Sequence, residues 1–321
     1  MVTVVTDDSQ RIRTETLQSN LGPEVGVRSV SFGSTEQLVK ETADADALVV
    51  SVDTPVPAEV FERSESLRIV ARAGTGVDNI DIAAAADRGV AVTNVPEYCT
   101  EEVSTHAVSL LLNTARRIKS YDHSVESGRW HWSEAKPIHR LADRTVGFHS
   151  FGSIARRTAE KLSGFGCDLV AFDPYVDAEA MAEYGVEAVS FEELLARSDA
   201  VSIHAPLTEE TYHLFDREAF ERMDKTSAMI NVGRGGIVDE AALCWALDTG
   251  EIAAAGLDVF ENEPPDDSPL VGRDDAVVTP HSAFYSEASI VDLNERVAAN
   301  VAAVFDGETP EGLIDPSGEW A

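Results

Sequence analysis

The chain has 321 residues, 44% of them hydrophobic, and no apolar run long enough to span a membrane. Its formal net charge is −32, from 57 acidic against 25 basic residues, and so acidic a surface disfavours nucleic acid and anionic membranes as partners. Cys99, Cys167 and Cys244 are scattered, have no metal-ligand spacing, and fit free thiols in a reducing cytoplasm. Only five of the basic residues are lysines (Lys40, Lys119, Lys136, Lys161 and Lys225), and the acids are spread over the whole chain rather than gathered in a tail. That pattern points to a protein that lives in concentrated salt, where screening suppresses self-repulsion.

The length suggests two domains. The N-terminus reads as a strand start rather than a signal peptide. Short apolar runs then alternate with amphipathic stretches, the pattern of βαβ units and parallel sheets. Strands are expected at 2–6, 47–51, 68–71 and 90–93, with helices at about 34–42, 58–63 and 80–88. These make one small parallel-sheet domain over 1–98. Residues 101–118 read as one long helix, with Glu101 and Glu102 in its first turn and Arg116, Arg117 and Lys119 at its end, as the helix dipole favours. Its apolar face (Val103, Ala107, Leu110, Leu111, Thr114) suits another helix or a partner subunit. A polar connector carrying Trp130 and Trp132 follows.

A second βαβ series begins at Thr145. Strands are expected at 145–150, 168–172, 186–188, 200–204, 228–232, 254–258 and 276–279. A helix over 287–305 follows the last strand and could cross back onto the first domain. The Gly-, Pro- and acid-rich tail from Glu308 is expected to be a loop.

Three polar residues follow strands of this second series: Arg234, Glu263 and His281. An arginine can hold a carboxylate, a histidine can exchange a proton near neutral pH, and a glutamate can orient and charge-stabilise that histidine. Singly, Arg234 also fits a surface salt bridge and Glu263 a solvated loop acid. Together they lie at the sheet edge where such folds bind ligands.

The stretch from Val146 to Arg157 joins a strand to a helix, where a Gly-x-Gly-x-x-Gly phosphate turn would sit. Gly152 holds its middle position, the one needed for close backbone approach to a pyrophosphate. Ala155 is an accepted substitute at the third, and Ser150 departs at the first. Asp173, about twenty residues on, either accepts the adenosine ribose diol, which predicts NAD over NADP, or caps a turn before Pro174.

These residues resemble the D-isomer-specific 2-hydroxyacid dehydrogenases. The likeness runs from about Arg68 to Val304, through Gly74-Thr75-Gly76-Val77-Asp78-Asn79-Ile80-Asp81, Thr93-Asn94-Val95-Pro96, the turn at Gly152, Asp173, His204-Ala205-Pro206-Leu207-Thr208, Asn231-Val232-Gly233-Arg234-Gly235-Gly236, Asp258-Val259-Phe260 with Glu263-Pro264, and Thr279-Pro280-His281. Tyr98–Val103 and His281–Glu287 further resemble the C-terminal-binding-protein-like branch, whose eukaryotic members are corepressors.

The resemblance implies an α/β fold of two doubly wound parallel-sheet domains separated by a cleft. A flavodoxin-like substrate-binding lid (1–98 plus 288–321) would flank a Rossmann NAD-binding domain (99–287), with a homodimer formed through the latter. It implies that Arg234 grips the carboxylate and carbonyl of a small 2-keto or 2-hydroxy acid, that His281 exchanges the hydroxyl proton, and that Glu263 supports His281. It implies substrate contacts from Arg72, the backbone of Thr75 and Gly76, and Phe284, which also fits simple core packing. It implies NAD contacts from Gly152, Ser153, Ile154, Asp173, Pro174, His204, Ala205, Pro206, Thr211, Val232, Gly233 and Asp258. Thr105 departs from the acid usual before His106. The function expected is an NAD-dependent dehydrogenase or 2-keto acid reductase. Phosphoglycerate dehydrogenase is an alternative within enzymes, and an NAD(H)-sensing binding protein is one outside them.

Overall fold

A computed structural model of the chain describes residues 2–317. It divides into two compact units, one running to Tyr98 and resuming at Ser286, the other spanning Cys99–Tyr285.

In the first unit, strands Val2–Asp7 (β1), Val25–Val30 (β2), Ala47–Val50 (β3), Ile69–Arg72 (β4) and Ala91–Thr93 (β5) alternate with helices Thr14–Leu21 (α1), Thr35–Thr42 (α2), Ala58–Arg63 (α3) and Ile82–Asp87 (α4). The sheet is parallel, in the order β2-β1-β3-β4-β5. β3 and β4 are buried along their whole length, which is why they read as continuous apolar runs. β2 and α1 were not expected from the sequence. β2 is an edge strand whose Val-Gly-Val-Arg-Ser-Val leaves every residue at least partly exposed, so it shows no apolar run.

The second unit opens with Thr100–Arg116 (α5) and Ile118–Glu126 (α6). The single long helix expected over 101–118 is broken, because Arg117 adopts a left-handed conformation (φ 54°) that ends one helix and starts the next. Then come Thr145–His149 (β6), Ser153–Leu162 (α7), Asp168–Phe172 (β7), Ala178–Ala182 (α8), Glu187–Ala188 (β8), Phe191–Arg197 (α9), Ala200–Ile203 (β9), Arg217–Arg222 (α10), Ala228–Asn231 (β10), Glu240–Thr249 (α11), Ala254–Leu257 (β11) and Ala276–Val278 (β12). All pair in parallel, in the order β12-β11-β10-β9-β6-β7-β8. The winding reverses between β6 and β9, the switch point at which such sheets take ligands. The expected apolar face of α5 is buried against α7, β10 and β11.

The final helix, Glu287–Asp306 (α12), belongs to the first unit. A Ser286–Ser289 capping box starts it. Asn294 then ties it to the start of α1, accepting from the Arg13 N–H (2.7 Å) and donating to the Arg11 carbonyl (2.9 Å). The tail from Glu308 is a loop as far as Ser317, the rest of it lying outside the described residues, but it still pairs with the sheet. Leu313 bridges Thr93 in antiparallel fashion, and the Ile314 N–H donates to the Val92 carbonyl (2.9 Å), so the chain end covers the β5 edge. Gly312 makes this possible, since a Cβ there would lie 2.0 Å from the Asn94 carbonyl oxygen.

Candidate active site

Arg234, Glu263 and His281 all belong to the second unit, just beyond the C-terminal ends of β10, β11 and β12. Two glycines bring their loops together. A Cβ on Gly235 would lie 1.9 Å from the Phe260 carbonyl, so only glycine lets the loop after β10 lie against the one after β11. Gly233 also fits closely against Ala205, in the loop after β9, where a Cβ would come 2.8 Å from the carbonyl oxygen. The Asn231 side chain closes the turn by accepting from the Gly233 N–H (3.0 Å) and donating to the Arg234 carbonyl (2.9 Å).

His281 Nδ1 lies 2.7 Å from Glu263 Oε2, and Glu263 Oε1 accepts from the Phe260 N–H at 3.0 Å. Among the described residues His281 Nε2 has no protein partner, so the carboxylate holds one ring nitrogen and leaves the other for a ligand. Burial alone would raise the Glu263 carboxyl. The hydrogen bond from His281 and the charges of His281 and Arg234 outweigh it and hold Glu263 below the ordinary carboxylate range. The Arg234 charge is therefore felt at the Glu263–His281 pair.

Asp258 is fully buried and builds the loop that carries His281. Its Oδ1 accepts from the Thr279 hydroxyl (2.6 Å) and the Ser282 N–H (2.9 Å), its Oδ2 from the Ala283 N–H (2.9 Å), and its carbonyl from the His281 N–H (2.8 Å). The carboxylate is thus engaged within the protein. A tie from α5 reaches the same loop, His106 Nε2 lying 2.9 Å from Thr279 Oγ1. Sequence reasoning did not single out this role for either residue.

At the switch point, Gly152 caps α7 and a Cβ added to it would meet nothing within 4 Å. No packing within the protein requires glycine here, and the open space above it is what a phosphate against the N–H groups of Ser153 and Ile154 needs. Ser150 takes the left-handed conformation (φ 70°) that its usual glycine favours. Its hydroxyl offsets part of that strain by donating to Asp173 Oδ2 (3.2 Å), which also accepts from the Phe151 N–H (2.7 Å). Asp173 Oδ1 accepts from the Tyr175 N–H (2.8 Å), so the acid caps the turn at Pro174 and stands beside the phosphate loop at once. The residues present fit a dinucleotide.

His204 joins this edge through its backbone, its N–H donating to the His149 carbonyl (3.0 Å), while its ring bonds Ser202 (2.8 Å). Ala205 and Pro206 continue the chain into a turn in which the Thr211 hydroxyl donates to the Pro206 carbonyl (2.8 Å). Val232 and Gly233 lie on the neighbouring loop after β10. Phe284 sits three residues past His281, edge-on to Tyr285. Arg72, Thr75 and Gly76 belong to the first unit, at and just after the end of β4, where Arg72 is buried and donates to the Ala73 carbonyl (3.0 Å). Thr105 has a partner in the neighbouring helix. Its hydroxyl accepts from Lys161 Nζ (2.6 Å), and the lysine charge is met one turn earlier by Glu101 (3.0 Å).

A parallel sheet with a glycine-opened helix at its switch point, beside an arginine and a carboxylate–imidazole pair, defines the class: an NAD-dependent oxidoreductase of hydroxy acids. Residues 108–283 match the model of the D-isomer specific 2-hydroxyacid dehydrogenase NAD binding domain. The chain is 41% identical over 286 residues to a glyoxylate reductase of Korarchaeum cryptofilum, covering 88% of this chain and 86% of the relative. It is 38% identical over 294 residues to a D-3-phosphoglycerate dehydrogenase of Methanocaldococcus jannaschii, covering 91% of this chain but only 56% of that one. The structure superposes on the apo D-lactate dehydrogenase of Escherichia coli with a TM-score of 0.84 at 28% identity, covering 98% and 100% of the two chains. The chain belongs to the D-isomer specific 2-hydroxyacid dehydrogenase family.

Proposed function

We propose that the protein works as a 2-keto acid reductase with His281 as its acid. The observation that carries this is the His281 ring, bonded to Glu263 through Nδ1 and with no partner at Nε2 among the described residues, within the field of Arg234. NADH, when bound, supplies the hydride. Arg234 binds the substrate carboxylate and holds the carbonyl oxygen as negative charge develops there. His281 Nε2 delivers the proton to that oxygen, and Glu263 stabilises the imidazolium before transfer. Ser153 and Ile154 hold the pyrophosphate with Gly152, and Asp173 favours a free ribose diol over a 2′-phosphate. Substrate contacts from Arg72, Thr75, Gly76 and Phe284 are part of the same proposal.

Glyoxylate is the first substrate to test, because the glyoxylate reductase match covers both chains nearly end to end. Hydroxypyruvate, phosphohydroxypyruvate and larger 2-keto acids belong in the same panel. NADH oxidation in molar KCl should report turnover of at least one, with NADPH much poorer. Tight NADH binding without turnover across the panel would instead favour a nucleotide sensor of corepressor type. The resemblance of Tyr98–Val103 and His281–Glu287 to the C-terminal-binding-protein-like branch is what supports that second reading.

We further infer a cytoplasmic, salt-adapted homodimer formed through the nucleotide-binding unit. Trp130 and Trp132, 82% and 74% exposed on the segment after α6, support an interface there. Among the described residues no helix is long and apolar enough to cross a membrane. With a net charge of −32, screening should raise the melting temperature in molar KCl well above that in dilute buffer. Equal melting in the two would refute salt adaptation.

A further inference from the structure

The His281 loop needs external support. His281 has a left-handed backbone (φ 47°), which a non-glycine residue holds only when its surroundings fix it. Three consecutive amides, those of His281, Ser282 and Ala283, donate to the carbonyl or carboxylate of Asp258. The orientation of the Asp258 carboxylate therefore sets where the imidazole stands.

His106 acts on that carboxylate from α5. The Thr279 hydroxyl has one proton and lies 2.6 Å from Asp258 Oδ1, closer than its 3.4 Å approach to the Leu257 carbonyl, so it donates to the acid. Its oxygen is then the acceptor for the His106 ring at 2.9 Å, which puts a proton on His106 Nε2. The same nitrogen is 3.5 Å from Asp258 Oδ1. His106 is half-buried, while Asp258 and the packed face of α5 around it are fully buried. Helix α5 is itself pinned at this turn by Lys161, which donates to Ser104 (2.7 Å), Thr105 (2.6 Å) and the Glu101 carbonyl (2.7 Å).

We propose that His106 is a positioning residue for the reaction. It touches neither reacting atom, but through Thr279 and Asp258 it fixes the backbone that aims His281 Nε2. Its kinetic consequence rests on the reductase reading above; its effect on the loop does not. The test compares His106→Leu, which removes the donor at similar bulk, with His106→Gln, whose amide can restore an N–H to Thr279. A misaimed acid costs chemistry more than binding. His106→Leu should lower kcat about tenfold to a hundredfold with KM within roughly threefold, and His106→Gln should recover most of it. Hydrogen exchange of the 281–283 amides should quicken in the leucine variant and return toward wild type with glutamine. Unchanged exchange in His106→Leu, or glutamine no better than leucine, would overturn the proposal. If wild type turned over no keto acid, the reductase reading would fail, and the exchange comparison would still decide the role of His106.

Discussion

His281→Ala should abolish measurable keto acid reduction, lowering kcat by roughly 10²–10⁴-fold as expected for loss of a positioned acid, while NADH binds within a few fold of wild type. The structure separates these effects. Among the described residues the His281 ring is hydrogen-bonded by Glu263 alone, at 2.7 Å, and its backbone N–H, which holds the loop to Asp258, is kept by alanine. The bonds that hold the phosphate turn run among Ser150, Phe151, Asp173 and Tyr175 and do not involve the ring. His281→Asn is the control for backbone strain, because asparagine tolerates the left-handed conformation better than alanine. Both variants inactive with NADH affinity intact would identify the imidazole as the acid. Loss of NADH binding in both would mean that His281 is a structural residue. Glu263→Gln should fall between wild type and His281→Ala, since a neutral amide still accepts from His281 but no longer stabilises its charged form.

The candidate trio of Arg234, Glu263 and His281 was legible because fully buried parallel strands announce themselves as apolar runs, and polar residues at their C-terminal ends then stand out. The second sheet was legible for the same reason. What the sequence hid lies where burial does not dominate. β2 is exposed and shows no pattern. The break at Arg117 depends on one left-handed residue inside a good helical sequence. The covering of β5 by Leu313 and Ile314 depends on long-range pairing that local composition does not encode. Ser150 was visible as a departure but not its remedy, because Asp173 lies 23 residues away and meets it only in the fold. The same holds for Thr105: nothing local in the sequence shows that Lys161 of α7 reaches its hydroxyl and also pairs with Glu101 on the same helix.

The second large effect concerns acid stability. His149 ends β6 inside an aromatic box, stacked on Phe172 (5.9–6.0 Å spacing to Phe191 and Phe172) and edge-on to Phe215 (5.3 Å), with its Nδ1 buried and unpartnered. Burial drives its pKa down from 6.5 to about 4, against a small opposing pull from Asp173. His204, beside it, is pushed to about 3 by burial and by the proximity of His149. Both are neutral in the folded protein at ordinary pH. Above pH 6.5 neither folded nor unfolded chain binds a proton at His149, and its full contribution is present. Below 6.5 the unfolded chain takes up the proton and the folded one does not, so stability falls until the folded pKa is reached near 4. A shift of that size corresponds to about 3 kcal/mol in total, most of it lost by about pH 4.5. Acidification also neutralises carboxylates, which relieves the self-repulsion of the −32 surface and acts in the opposite sense. Comparing wild type with His149→Leu in urea at pH 7.5, 5.5 and 4.5 cancels that shared contribution. The leucine variant should gain about 2–3 kcal/mol on wild type between the first and last pH. Parallel stability curves would show that the box admits enough water to let His149 titrate normally.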